Sequence, residues 1–579
     1  MTPSSDEQIP AFDSPHHLGP KYRNQVLDRL RDDKFDVLII GGGITGMGCA
    51  LDAVSRGLAV AVVEQRDVAS GTSSRSSKLI HGGLRYLEQL NFRLVREALR
   101  ERSLLLTRLA PHLVSPVPFL YPLRHRFWER WYVGAGVALY DLLAKMGGNP
   151  LPRHRHLSRR RALEEIPALA RESLVGGIQY YDAQVDDARH TLAVARTAAG
   201  RGAAVGTSLN VSSLIRADGR IAGAKATCLE TGAVINIRAR HVINATGVWT
   251  DHIETMAGQL DVDVTASKGV HLVVPRERIE SRSGMIIRTK QSVLFMIPWG
   301  RHWLIGTTDT AWNLDLAHPA ASAADIEYLL EQINQVLETP LTTNDIEGVF
   351  AGLRPLLSGE SDSTSKLSRE HGVWHTAPGL TTVAGGKYTT YRVMAEDTID
   401  AVAADLGGDV PKSMTAGLPL LGVDGYQDLW DRRAELGENH GLSTAEVERL
   451  LKRHGGLATE VLAIIAARPD LAGPLPGSSD YLLAEAFYAV VAEAALHLDD
   501  VLTRRTRISV ESWDRGLSAA EAIAPLMAEL LGWGDAAITR ELEHYRARVA
   551  AERESQTKSD DHTADAARLG APDVRRLGR

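Results

Sequence analysis

The stretch SSKLIHGGLRY, residues 76–86, sets Lys78, His81, Arg85 and Tyr86 around two adjacent glycines. An imidazole in such a place can take a proton near neutral pH, and a guanidinium can hold an anion with two parallel hydrogen bonds. Further basic groups sit in short glycine-broken segments: Lys268 and His271 in ASKGVHLVV, Arg354 in GLRPL and Lys387 in AGGKYTT. A carboxylate substrate needs one arginine, whereas this many cations suit a dianionic phosphate, forked by arginines with a lysine as point charge. The shared chemistry is proton abstraction from an anionic substrate, with His81 and His271 both open as the base. Taken singly, each has a plainer reading: a salt-bridging arginine for Arg354, a satisfied strand histidine for His271, packing for Tyr86.

Something must hold these groups together. Residues 35–40, FDVLII, read as a short buried strand running into GGGITG and then the helical MGCALDAVSRG. Gly41 permits the tight turn, Gly43 lets a pyrophosphate approach the backbone, and Gly46 lets helix and strand pack closely. The phosphates meet the free N–H groups and positive end of the helix. A second strand, LAVAVV, ends in Glu64, which lies 18 residues beyond Gly46 and is placed to accept hydrogen bonds from a ribose. After it come DVASGTSSR and the opening stretch, small and polar where a plain dinucleotide domain would start another strand–helix unit. Later, HVINATG forms a strand ending in Ala245, Thr246 and Gly247, and TTVAGGKYTT carries Gly386, Lys387 and Thr389 into the helix YRVMAEDTID.

Bulk properties narrow the class. With 579 residues, 44% hydrophobic and 24% charged, the chain has the composition of a soluble globular protein of more than one domain. A net charge of −7 argues against nucleic acid as a partner. Two cysteines, Cys49 and Cys228, give no disulfide framework and no metal cluster, so no metal is expected. No secretory signal is read at the N-terminus, and no apolar run reaches the ~18 residues of a spanning helix. Residues 1–34 are expected to be a mobile tail, 35–405 an α/β oxidoreductase unit, 411–548 a separate helical domain and 549–579 a frayed polar tail.

The serine-rich loop after Glu64 resembles the extended ADP-binding fingerprint of the glutathione-reductase-like flavoproteins, in their D-amino-acid-oxidase branch. That resemblance implies an FAD-binding Rossmann-like domain interleaved with an α+β substrate domain, followed by an all-α C-terminal domain. It implies FAD, bound non-covalently, with Thr72, Ser73, Ser74, Lys78, Leu79 and Gly82 running alongside the cofactor. Together with Gly41, Gly43, Gly46, Glu64, Ala245, Thr246, Gly247, Gly386, Lys387 and Thr389, these form the expected cofactor set.

At finer grain, SSRSSKLIHGGLRYLEQ, DDARHTLAVARTAA, SKGVHLVVP, IPWGRHWLIGTTDT, GLRPLL and AGGKYTTYRVMAEDTID resemble the FAD-dependent, quinone-linked glycerol-3-phosphate dehydrogenases. DDVLTRRTRI is similar to their C-terminal region. The resemblance implies oxidation of sn-glycerol 3-phosphate to dihydroxyacetone phosphate, with His81, Arg85, Tyr86, His271, Arg354 and Lys387 at the substrate. It implies a membrane quinone as acceptor, peripheral contact at the cytoplasmic face of the plasma membrane, and leaves a homodimer open. A glycerol-3-phosphate oxidase using dioxygen is the alternative; an amine or amino-acid oxidase, and a flavoprotein that keeps the fold only as a binding or assembly module, are further ones. The aromatic run FWERWY at 127–132, with Arg124, Arg126, Arg130 and Lys145, suits a headgroup interface or equally a helix with a solvated basic face.

Overall fold

The computed structural model describes residues 11–83, 87, 91–125, 128–148, 150–258, 262–289, 293–357 and 370–575. Arg85 and Tyr86 lie outside them. At the centre of an eight-stranded sheet is the strand Lys34–Ile40, flanked in parallel by Val60–Val63 and Val234–Asn244. Leu380–Gly385 and Ala204–Gly206 extend the parallel run outward. Strand periodicity sends alternate residues to opposite faces. Val37 and Ile39 pack with Met47, Leu192 and Ile399 of the helices Ile44–Ser55, Asp187–Gly200 and Tyr391–Leu406. Leu38 and Ile40 pack the other way, against Val26 and Leu30. A parallel sheet covered on both faces is what the run VLII, with no polar alternation, requires.

Val26 and Leu30 belong to an ordered helix, Pro20–Asp32, which corrects the expectation of a mobile tail for residues 11–34. Tyr22, Val26, Leu27 and Leu30 form a short apolar stripe on an otherwise charged sequence. Ahead of it, Leu18 N donates to Ala492 O, and His17 Nε2 is 3.1 Å from Glu460 Oε1, so the segment is pinned to the C-terminal helices.

A second sheet of ten strands, largely antiparallel, carries the substrate-side groups. Its strand Val264–Pro275 pairs antiparallel with Gly348–Leu357 on one side and His302–Gly306 on the other. The short strand Leu79–Ile80 joins its far edge through Gly176–Val185.

From Tyr426 onward the described elements are helical, and they bury their own core around Leu450, Val461, Phe487, Ile523 and Val549. The polar tail expected from 549 is instead the end of the helix Asp535–Ser555 and a further helix, Asp561–Arg568. Ion pairs anchor it to the rest of the chain: Arg575 Nη2 lies 2.9 Å from Asp500 Oδ2, and Arg66 Nε is 2.7 Å from Asp573 Oδ2. Low hydrophobicity therefore misstated its order.

Candidate active site

A cavity of about 760 Å³ runs from the glycine turn to the second sheet, lined at one end by Gly41, Gly43 and Glu64 and at the other by His81, His271, Arg354 and Lys387. The turn is built as its glycines demand. At Gly41, φ is +115°, and an added Cβ would stand 2.6 Å from Ala245 O. At Gly43 a Cβ would meet only Ser73 Oγ, at 3.2 Å, so that face is open to a ligand. Gly46 does not line the cavity; a Cβ there would lie 2.0 Å from Gly41 O, so its smallness lets the helix Ile44–Ser55 close on the turn. Ser73 Oγ accepts from Ile44 N at 2.9 Å, tying the serine loop to that helix start. Glu64 accepts from Gly42 N at 2.6 Å and from Arg66 N at 2.8 Å. A carboxylate has lone pairs for a ribose hydroxyl beyond these two.

Thr72, Ser73, Leu79, Ala245, Thr246, Gly247, Gly386 and Thr389 also line the cavity. Ser74, Lys78 and Gly82 are not among its lining residues. Lys78 turns away from the cavity, with φ at +60°, and its Nζ donates to Ser74 O and Asp187 Oδ1, both at 2.6 Å. Burial lowers its pKa to about 8 and Arg507 lowers it too, while Asp187 opposes them. Gly82 N donates to Tyr140 Oη at 2.8 Å, and Tyr140 donates onward to Asp182 Oδ1 at 2.7 Å. A Cβ on Gly82 would strike Leu99 and Tyr140, so this glycine is needed behind the loop, not over the cofactor.

On the second sheet, register decides which groups reach the cavity. Ser267, Gly269 and His271 share one face of their strand, opposite Arg354, Gly352 and Phe350. Arg354 is held by Thr307 Oγ1 at 3.0 Å and Thr308 O at 3.2 Å, with Asp309 Oδ1 3.5 Å from Nη1. Gly269 leaves room for it, since a Cβ there would be 2.5 Å from Arg354 Nη2. His271 stacks on Phe350 at 4.8 Å and 7°, and its Nε2 lies 2.8 Å from Ser77 Oγ. Burial first, then Arg354 and Lys78, lowers the His271 pKa to about 3, so the ring stays neutral at physiological pH. Lys268, three residues from His271, faces the other way. It is fully buried against Asp325 Oδ2 at 2.6 Å and against Asp561, which removes it from the substrate set.

His81 and Lys387 reach the cavity from adjoining turns. His81 N donates to Thr389 Oγ1 at 3.2 Å, linking the loop to the start of the helix Tyr391–Leu406. Gly385 and Gly386, at φ +76° and +79°, turn the chain so that Lys387 precedes that helix. Sequence reasoning missed three participants. Ser77 orients His271, and Asp187 accepts from Ser76 N at 2.9 Å as well as from Lys78. Arg75 lines the cavity, its Nη1 donates to Ala317 O at 2.9 Å, and burial together with Arg548, Arg568 and Arg504 lowers its pKa to about 9. The serine-rich composition of the loop was the available signal for Ser77; the DDARHT segment was the signal for Asp187.

Comparison with known proteins agrees with this geometry. Residues 36–392 match the FAD dependent oxidoreductase family, and residues 413–538 match the C-terminal domain of alpha-glycerophosphate oxidase. The chain is 55% identical over 576 residues to a glycerol-3-phosphate dehydrogenase of Mycobacterium leprae, covering 99% of this chain and 97% of that protein. It is 38% identical to the human mitochondrial glycerol-3-phosphate dehydrogenase, covering 91% of this chain and 75% of that one. The crystal structure of the Bacillus halodurans glycerol-3-phosphate dehydrogenase complexed with FAD superposes with a TM-score of 0.76 at 30% identity, over 92% of this chain and 98% of the other. FAD is accordingly the cofactor that the cavity serves, and its open glycine turn, serine loop and ribose-side carboxylate fit it. The chain belongs to the family of FAD-dependent glycerol-3-phosphate dehydrogenases.

Proposed function

We propose that the protein oxidises sn-glycerol 3-phosphate to dihydroxyacetone phosphate and passes the electrons to a membrane quinone. The observation that carries this reading is the convergence of Arg354, Lys387, His81 and His271 on one end of the FAD cavity. FAD, when bound, supplies the hydride acceptor. Arg354 forks the substrate phosphate, with Lys387 and Arg85 adding charge, and this fixes the carbon that must lose hydride. His81 takes the proton from the 2-hydroxyl. His271, whose conjugate acid is held far below neutrality, is the weaker acceptor and orients the hydroxyl as a neutral hydrogen-bonding ring.

A quinone acceptor calls for contact with a bilayer. The helix Trp128–Met146 supports it: Trp128, Trp131 and Tyr132, spaced to share one face, are 59%, 79% and 52% exposed, and Leu142 extends the stripe. Exposed Arg124 and Lys145 flank this aromatic edge as an anionic headgroup layer requires. No helix among the described residues is long and apolar enough to cross a membrane; the proposed contact is peripheral, at the cytoplasmic face. The test is to reduce the protein anaerobically with glycerol 3-phosphate and compare reoxidation by a quinone in anionic vesicles with reoxidation by air. Faster turnover with quinone is expected; stoichiometric peroxide with no quinone effect would establish an oxidase instead.

A further inference from the structure

The loop of residues 67–78 has two sides. Its front, Ser70, Gly71, Thr72, Ser73, Arg75, Ser76 and Ser77, lines the cofactor cavity. Its back is gripped by arginines from a distant part of the chain. Asp67, buried at 1% exposure, receives Arg504 Nε at 2.6 Å on Oδ2, Arg505 Nη1 at 2.7 Å on the same oxygen and Arg505 Nη2 at 2.7 Å on Oδ1. Farther along, Ser74 O accepts from Arg507 Nη1 at 3.0 Å, and Arg507 Nη2 reaches Asp187 Oδ1 at 2.6 Å. Asp187 is the carboxylate that also holds Ser76 and Lys78. Three arginines within four positions of the helical domain therefore fix both ends of the cofactor loop.

These arginines are themselves anchored. Arg504 bonds Asp500 Oδ1 at 2.5 Å, Asp500 receives Arg575 at 2.9 Å, and Arg505 Nε donates to Glu493 O at 2.9 Å. The loop is also held between its ends, where Ala69 N bonds Gly42 O, Ser73 Oγ accepts from Ile44 N, Thr72 Oγ1 donates to Leu353 O at 2.6 Å and Val68 and Ala69 are buried, so the arginines secure its two ends. Beyond Ala69, its serine-rich part, residues 70–77, has little apolar area to fix its own shape. The planar fork of an arginine is suited to that task, because two parallel bonds set direction as well as distance.

We propose that Arg504, Arg505 and Arg507 are positioning residues for the flavin site, so that the helical domain acts as a brace holding the serine loop in its cofactor-binding shape. This rests on FAD being the occupant of the cavity. None of the three lines that cavity, so their effect on FAD passes through Asp67, Ser74 and Asp187. The brace gives the helical domain a role in the oxidoreductase site without supplying a reacting group.

The full chain, stripped of flavin and titrated with FAD by fluorescence quenching, provides the readout. Arg505→Met and Arg507→Met should each raise the FAD dissociation constant by about tenfold or more, because the first strips Asp67 of the contact that spans both its oxygens and the second releases Ser74 O and Asp187 from Arg507. Amide exchange should rise in peptides covering residues 67–78 and stay unchanged across the strand Lys34–Ile40. Arg453→Met is the control. It removes an equally short pair, Arg453 Nε to Glu485 Oε1 at 2.6 Å, from the helical domain away from the loop. It should lower the melting temperature while leaving FAD affinity within about twofold. Where a methionine variant does not fold, Arg505→Lys and Arg507→Lys keep the charge and lose the fork, and should still weaken FAD binding. Wild-type FAD affinity and wild-type loop exchange in the folded variants would overturn the brace, as would an equal loss of affinity in Arg453→Met.

Discussion

The hydroxyl of Ser77 lies 2.8 Å from Nε2 of His271, joining the loop that follows the nucleotide turn to the strand that carries the substrate-side histidine. One face of the ring rests on Phe350, and Nδ1 has no hydrogen-bond partner among the described residues. The ring is thus set by one hydrogen bond and one stacking contact. Ser77→Ala should retain FAD and lower kcat/KM by roughly tenfold, the worth of one buried hydrogen bond at about 1–1.5 kcal/mol. Steady-state kinetics beside a flavin absorbance spectrum checks both halves. Because His271 stays neutral at physiological pH, His271→Gln should leave the acid limb of the kcat/KM profile where it is, whereas His81→Gln should abolish it.

Gly43→Val should yield apoprotein. The Cβ would already stand 3.2 Å from Ser73 Oγ, and the valine methyls would project into the open space that a diphosphate needs. The ratio of flavin to protein absorbance after purification measures it; a normal ratio would show that the diphosphate lies elsewhere. Acid precipitation of the wild type should release all flavin to the supernatant, as expected for a non-covalent cofactor.

Arg354→Ala should reduce kcat/KM for glycerol 3-phosphate by about ten- to a hundredfold, since a charge-assisted contact contributes roughly 1.5–3 kcal/mol. The proportional loss should be smaller for glycerol, which has no phosphate. Gly269→Ala should have a milder version of the same effect, because its Cβ would occupy space 2.5 Å from Arg354 Nη2. Arg85→Ala should resemble Arg354→Ala, and the pair should be less than additive if both hold one phosphate. Equal losses for both substrates would make the arginines structural.

Stability should depend on pH through His497. Its Nδ1 is 2.9 Å from Glu541 Oε1 and its Nε2 is 3.1 Å from Glu230 Oε1, so it joins the helical domain to the oxidoreductase unit. Burial and Arg575 oppose its charge, yet the two carboxylates outweigh them and push its pKa up to about 9. A folded-state pKa above the unfolded value of ~6.5 means full stabilisation below pH ~6.5, lost as pH rises toward 9 and absent above it. The shift corresponds to about 3 kcal/mol. Melting temperature should therefore fall between those pH values in the wild type, and His497→Gln should flatten that slope.

Much of the cofactor half was legible in the sequence because its determinants are local. Gly41, Gly43, Gly46 and Glu64 are constrained by a turn, a helix start and a strand end within one unit, and spacing alone fixes them. The substrate half depends on the register of two strands eighty residues apart, which spacing does not reveal. Lys268 and His271 looked alike as basic groups near a glycine; strand alternation sends one to Asp325 and the other to the cavity. Lys78 was drawn away by Asp187, a partner 109 positions later. The two termini were misjudged for a related reason. Residues 11–34 and 549–575 carry few bulky apolar groups, and their order comes from a four-residue stripe at one end and buried ion pairs at the other.

The central claim is that this FAD cavity oxidises a phosphorylated secondary alcohol. Anaerobic addition of one equivalent of sn-glycerol 3-phosphate to the purified flavoprotein tests it most directly. The account predicts loss of the oxidised flavin absorbance with one dihydroxyacetone phosphate formed per flavin, and negligible bleaching by glycerol at the same concentration. A flavin that stays oxidised under saturating glycerol 3-phosphate, yet bleaches with an amine or amino acid, would contradict it.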